Sequence, residues 1–270
     1  MKHGAKRRMT ATQRTMMKTF FIIVPVFMLI LLPPLLPHTV SQEPSTEAGN
    51  EVGRVRTMLL LIHDKGTLTG AVRVKTDTST LSVHIKGYPH QTEVIFGTTV
   101  GTLQECYASE GGKAGEYLAA VTGETYGSVL RLSTEAVGRL AAELGGGIRY
   151  TLPETVGLLS VGEHWLTARQ IAELLCYTGW KEPLHGQAAA HAGVIATLLN
   201  RYLSPERDLQ AAFHALVAVC DDRLTVAQFT VLQSELRRLA AANGGDLCET
   251  AVASGRQIGV DGKKRYVLTE

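Results

Sequence analysis

Apolar residues are arranged in three ways along this chain. Between Thr19 and Val40 they run almost without interruption, and "TFFIIVPVFMLILLPPLLPHTV" holds 22 residues free of Lys, Arg, Asp and Glu. From Arg54 they fall into short β-rich runs. "VRTMLLLI" (55–62), "GAVRVKT" (70–76), "STLSVHIK" (79–86) and "TEVIF" (92–96) predict strands. The first is apolar on consecutive positions, as in a strand buried on both faces. Helical spacing then takes over. Val137, Leu140, Ala141 and Leu144 form one stripe, with Ser133 or Thr134 as cap and Gly145 to Gly147 as terminator. "IRYTLP" predicts another strand. Thr167 opens a helix with Ile171, Leu174 and Leu175 inward, and Val194, Ile195, Leu198, Leu199 and Tyr202 line the next, which stops at Ser204 and Pro205. Two more helices are expected at 206–221 and 225–242, with Phe213, Leu216, Val217 and Phe229, Leu232, Leu236, Leu239 as their stripes. Asp261 and Gly262 between two β-like runs predict a closing hairpin. This alternation gives an α/β domain over 54–270, with a mixed central sheet covered by helices.

Composition and charge add a membrane to the picture. At about 1.5 Å per residue, 19–40 can cross a hydrocarbon core of about 30 Å as one transmembrane helix. Pro25 would kink it, and Pro33 with Pro34 would stop it. The first 18 residues carry Lys2, Lys6, Arg7, Arg8, Arg14 and Lys18 and no acid, while Glu43, Glu47 and Glu51 follow the span. The positive-inside rule keeps 1–18 in the cytoplasm and leaves 54–270 extracellular at the cell membrane, joined through a polar tether at 41–53. A cleaved signal peptide is the alternative; against it, the run is long and no A-x-A-like site follows. Of 27 basic residues, the six in the tail leave 21 against 25 acidic ones. No basic cluster for nucleic acid remains outside the tail. Cys106, Cys176, Cys220 and Cys248 match no zinc or redox spacing, and buried free thiols are expected, since Cys176 and Cys220 end apolar stripes.

The order of segments resembles the LytR-CpsA-Psr family of bacterial membrane-anchored enzymes. Those enzymes have a short cytoplasmic tail, one span and an outer α/β domain that transfers glycopolymers from a polyprenyl pyrophosphate carrier to the cell wall. "TMLLLIHDKG" stands where the family has a strand and G-x-D-x-R, and "VKTDTSTLSVHIKGYPHQT" where it has R-x-D-T, a strand and I-P-R-D-T. "LAAVTGETYGSVLRLSTEAVGRLAAELGGGIRYTLPE" follows the family's T-G, strand, helix, G-G-V and strand ending in Pro. "VGEHWLTARQIAELLCYTGW" matches the stretch ending L-x-Y-x-R-x-R, and "WKEPLHGQAAAHAGV" the D-x-G-R-x-x-R-Q helix.

The resemblance implies Mg²⁺ ligation by Asp64 and Asp77, whose alternative role is as turn and cap carboxylates. It implies substrate binding by Lys65, Lys75, His90 and Lys181, which stand at or beside positions where the family carries basic residues. Lys75 keeps the charge, but His90 and Gln91 replace an Arg and an Asp, and Gly179 and Lys181 replace two arginines. Leu184, Gln187 and Ala190 replace Asp, Arg and Arg. Arginine binds a pyrophosphate through a planar fork that lysine does not copy and Gln or Ala cannot replace. Phosphoryl transfer rests on such electrostatic positioning. The sequence therefore predicts a non-catalytic member that binds the membrane-held, polyprenyl-phosphate-linked glycan or cell-wall polymer, or regulates its assembly.

Two alternatives stand beside this reading. In the first, Lys65, Lys75, Lys86, Lys181 and the histidines converge and sustain an active transferase. In the second, His63, His84, His90, His185 and His191 meet Asp64 and Asp77 in a metal-dependent hydrolase. For the second, the six-residue separation of His185 and His191 is not the i, i+4 spacing of a helix-borne metal pair. Solvated or hydrogen-bonded histidines at the start of a helix are the plainer expectation.

Overall fold

The computed structural model describes residues 55–204, 208–222, 235–244, 247–260 and 262–269. The expected tail, transmembrane helix and tether, and most of the expected helix at 225–242, lie outside these residues. Among the described residues, no helix is long and apolar enough to cross a membrane.

Five strands form the central sheet in the order β6-β1-β2-β3-β9: β1 (Val55–Asp64), β2 (Thr67–Asp77), β3 (Ser82–Pro89), β6 (Ser128–Ser133) and β9 (Cys248–Val252). The pairs β1–β2 and β2–β3 are antiparallel, whereas β6 on β1 and β9 on β3 are parallel, so the sheet is mixed as expected. Lys65 and Gly66, both at positive φ, make the two-residue turn between β1 and β2. The expected strand at 79–86 begins only at Ser82. The Asp77 carboxylate accepts the backbone N–H groups of Ser79 (2.8 Å) and Thr80 (3.3 Å), which folds the chain into a turn. Small ribbons pair β4 (Glu93–Phe96) with β5 (Thr99–Thr102), β7 (Ile148–Leu152) with β8 (Gly162–Leu166), and β10 (Gly255–Val260) with β11 (Lys263–Leu268). The last is the hairpin expected at residues 261 and 262.

Helices cover both faces. On one lie α1 (Leu103–Glu110) and α2 (Ala114–Thr122), packed on Leu59, Leu61, Ala71 and Tyr88. The other carries the larger core: Leu60, Ile62, Val72, Val74 and Ile85 beneath α3 (Thr134–Glu143), α4 (Ala168–Cys176), α5 (Pro183–Tyr202) and α6 (Leu209–Val219). Alternate residues of one strand thus enter two cores, which explains the unbroken apolar run in β1. The caps follow the sequence: the Ser133 hydroxyl accepts the Ala136 N–H, and Thr167 with Gln170 closes a capping box.

The long helix α5 lies very close to the sheet. A Cβ on Gly87 would stand 2.3 Å from the carbonyl oxygen of Ala188, and one on Gly70 would stand 3.1 Å from the His191 ring. Two glycines on neighbouring strands therefore set the depth at which α5 rests. The edge of β6 is closed by side-chain chemistry. Asp222 accepts the Arg131 backbone N–H (2.5 Å) and two guanidinium bonds, and the Asp221 N–H returns to the Arg131 carbonyl. All four cysteines are free; Cys106 is buried and the other three are half-buried.

Candidate functional site at the carboxyl end of β1 and β6

Because β1 and β6 are parallel, His63 and Ser133 leave the sheet on the same side, and α3 starts there. Ligands of open α/β sheets gather beyond such carboxyl ends. The first turn of α4's partner helix α3 contributes Thr134, which is 1% exposed and accepts the Cys176 thiol at 3.7 Å. Burial pushes the Cys176 thiol up, and the bond to Thr134 and the charges of Asp64 and Lys65 act on it more weakly. Nearby, His63 Nε2 lies 2.6 Å from an Asp221 carboxylate oxygen, with its ring stacked on Tyr107 at 5.9 Å.

Next to these groups is a buried polar cluster built from β2, β3 and α5. Thr69 Oγ1 is 3.2 Å from His191 Nε2, and His191 Nδ1 lies 2.7 Å from the Gln187 carbonyl oxygen. Gln187, 3% exposed, donates to the Leu175 carbonyl at 3.3 Å. The His90 side chain joins through Gln187 and the Thr69 backbone. Burial pushes the His90 pKa down, and that of fully buried His191 down to about 4. Both imidazoles are therefore neutral at pH 7. His90 Nδ1 is buried with no hydrogen-bond partner among the described residues. An orphaned polar atom at such an end marks a place for an unaccounted hydrogen bond.

The residues singled out from the sequence do not all meet. Asp64 pairs with Thr67 at one end of the β1–β2 hairpin and Asp77 with Val55 at the other. Nine residues at about 3.4 Å each separate them by roughly 30 Å. They cannot hold one Mg²⁺ together. Lys75 pairs with Thr57 and His84 near the Asp77 end, far from Lys65 in the β1–β2 turn. Lys181 is exposed, and its backbone N–H donates to Glu154 at 2.9 Å. Of the named set, Asp64, Lys65 and His90 share the carboxyl end. Among the described residues, no three His, Cys, Asp or Glu side chains form a group able to hold a metal.

On α5, His185 is exposed while Leu184, Gln187, Ala190 and His191 are buried. The positions where the resemblance expects Asp, Arg and Arg thus face inward. Leu184 and Ala190 fill core, and only Gln187 offers a polar group. Thr69 was not singled out from the sequence, Thr134 was read there only as a cap and Gln187 only as a replacement for an arginine. The only signal for them is the placement of polar residues on otherwise apolar faces.

The layers and the mixed sheet are those of the LytR-CpsA-Psr-type fold. Solved structures with this fold include B. subtilis TagV (13% identity, 80% of this chain and 91% of that one, TM-score 0.62) and TagT bound to LI-WTA (14%, 80% and 85%, 0.62). A protein of Eubacterium siraeum described as a putative transcription regulator also shares it (14%, 86% and 94%, 0.68). No family model matches the sequence, and no curated protein does.

Proposed function

We propose that this chain is a single-pass envelope protein whose outer LytR-CpsA-Psr-type domain binds a polyprenyl-phosphate-linked glycan or cell-wall polymer without transferring it. The observation that carries the reading is on α5. Two positions expected to bear arginine hold Gln187 and Ala190, buried at 3% and 1% exposure, beside a neutral His191. A pyrophosphate needs several fixed positive charges, and removing such electrostatic stabilisation costs orders of magnitude in rate. Neutral donors and acceptors such as Thr69, His90 and Gln187 suit the hydroxyl groups of a glycan. The glycopolymer is suggested by TagT, whose fold this chain shares and whose ligand is a wall teichoic acid. Extracellular placement and anchoring rest on the basic tail and the uncharged stretch at 19–40.

The test is a transfer assay on the full chain in detergent micelles, with a polyprenyl-pyrophosphate-linked glycan, a peptidoglycan acceptor and Mg²⁺. Saturable binding of the glycan without transfer is expected. Transfer within about tenfold of an arginine-bearing relative would overturn the reading, since the lost stabilisation corresponds to several kcal/mol. The active-transferase alternative requires Lys65, Lys75, Lys86 and Lys181 to act together. The opposite ends of the β1–β2 hairpin on which Lys65 and Lys75 stand speak against it.

A further inference from the structure

At the opposite end of the sheet from His90, β3 and β9 carry a second ordered set of polar groups. Ser82 opens β3 and His84 follows two residues later, so both side chains share the face on which α1 and α2 pack over Tyr88. On β9, Glu249 is the cross-strand partner of His84. His84 Nδ1 lies 3.0 Å from Glu249 Oε2, His84 Nε2 lies 3.1 Å from Ser82 Oγ, and Ser82 Oγ lies 2.7 Å from Thr80 Oγ1. In a neutral ring whose Nδ1–H donates to the carboxylate, Nε2 keeps a lone pair that accepts the Ser82 hydroxyl proton. Thr80 then donates to Ser82, and the four groups form one directed relay that ends on Glu249.

Folding stability does not account for this order. The side chains of His84 and Glu249 are 42% and 74% exposed, and a pair so open to solvent adds little to the fold. The approach to Ser82 is strained as well. Leu81, the residue before it, is exposed and held at φ 52, a region that aliphatic side chains rarely occupy. The turn that holds it is fixed at both ends: the Asp77 carboxylate accepts the Ser79 and Thr80 amides, and Arg238 donates to the Thr78 carbonyl at 3.3 Å. Backbone strain of this kind gathers at functional sites. A hydroxyl, an imidazole and a carboxylate joined in this sequence are a nucleophile, its general base and the group that orients the base.

We infer that Ser82, His84 and Glu249 form a nucleophilic triad that hydrolyses carboxylic esters. Ser82 Oγ adds to the ester carbonyl carbon while its proton passes to His84 Nε2. The bond from that carbon to the alcohol oxygen breaks, and the alcohol leaves with the proton from His84. Water, the only other reactant, then adds to the acyl-Ser82 by the same proton route, releasing the carboxylic acid and restoring the hydroxyl. Glu249 is a positioning residue: it holds the Nδ1–H tautomer. Lys75, across the strand pair from His84, sets a cation on the face where the oxyanion develops. The openness of the site suits a short acyl group presented on a larger molecule. The triad does not depend on the reading of the carboxyl-end cluster, since Ser82 pairs with Asp77 at the opposite end of β2 from Thr69.

The experiment treats the full chain in detergent micelles with a fluorophosphonate probe, which bonds its phosphorus to an activated serine oxygen and releases fluoride, and locates the adduct by peptide mass spectrometry. The adduct is expected on Ser82, formed at least tenfold more slowly in His84→Gln and at least threefold more slowly in Glu249→Gln, with Glu249→Asp faster than Glu249→Gln. Hydrolysis of p-nitrophenyl acetate should lose tenfold or more of its kcat in Ser82→Ala. In Glu249→Gln kcat should fall while KM stays within twofold, a split that a merely structural carboxylate would not produce. Arg169→Ala should change neither rate. No adduct on Ser82 of the unaltered chain, or equal labelling rates in that chain and in His84→Gln, would overturn the triad, as would undiminished ester hydrolysis by Ser82→Ala. If His84→Gln fails to fold, undiminished labelling of Ser82 in folded Glu249→Gln overturns it instead.

Discussion

The Thr69 hydroxyl stands between two acceptors: His191 Nε2 at 3.2 Å and the Ile62 carbonyl oxygen at 3.1 Å. Its single proton can serve only one of them at a time. His191 Nδ1–H donates to the Gln187 carbonyl, which leaves Nε2 as a bare lone pair. An imidazolium would satisfy every group in this chain of contacts, with Nε2–H donating to Thr69 and Thr69 to Ile62. Complete burial opposes that charge and holds the ring neutral.

From this follows a pH dependence with a definite sign. An unfolded histidine binds a proton below its ordinary value of 6.5, whereas His191 in the fold does so only below about 4. Between these values the unfolded state holds more protons, so stability rises with pH. The contribution is complete above pH 6.5 and is lost as pH falls toward 4. It is on the order of 3 kcal/mol at full size. His90 is shifted in the same direction. Urea midpoints of the full chain between pH 4 and 7 should climb with pH, and His191→Asn should flatten much of that slope. A flat profile in the unaltered chain would refute the buried neutral ring.

The seat of α5 gives a second prediction. Gly87→Ala would place a methyl 2.3 Å from the Ala188 carbonyl oxygen, a backbone atom that cannot rotate away. Overpacking of this kind costs about 1–3 kcal/mol or more. Gly112→Ala meets nothing within 4 Å and should change stability little. Thermal midpoints of the two variants should differ by several degrees, and equal midpoints would show that α5 shifts freely.

At the sheet edge, Asp222→Ala leaves the Arg131 amide and guanidinium without their acceptor. The loss is expected at about 1–3 kcal/mol by chemical denaturation. Glu173→Ala removes only the exposed pair with Arg169, whose side chains are 60% and 89% exposed, and should leave stability nearly unchanged. A reversal of this order would mean that the edge is closed by something other than Asp222.

Asp77 provides a check on the metal expectation. Its carboxylate is held below the usual range by the Ser79 hydroxyl and amide, as a turn-forming acid would be. Asp77→Asn should leave both glycan affinity and any Mg²⁺ response within twofold. A tenfold loss of either in a titration would restore Asp77 to a binding role.

The placement of the domain is testable without the fold. A reporter fused after residue 270 should be active on the outer side of the membrane, as the six tail cations ahead of an uncharged stretch require. Cytoplasmic activity of that fusion would place the domain on the other side.

What the sequence determined by itself is local. Ser133 and Thr167 announced two helix starts because a capping side chain acts on amides two or three residues away. The hairpin around residues 261 and 262 and the doubly buried first strand were legible for the same reason: turn chemistry and apolar runs need no distant partner. The helices between Leu103 and Thr122 were not anticipated, since "LQECYASE" buries only Leu103 and Cys106 and shows no stripe. The tertiary structure decided the rest. Strand register set Asp64 and Asp77 at opposite ends of one hairpin, although 13 positions of sequence separate them and both follow β-like runs. The contact of α5 with Gly70 and Gly87 turned Gln187 and His191 inward and left His185 in solvent. Pairing of β2 with β3 placed Arg73 against Lys86. Periodicity states which residues share a face; only long-range packing states what that face meets, and the chemistry of a site depends on the second.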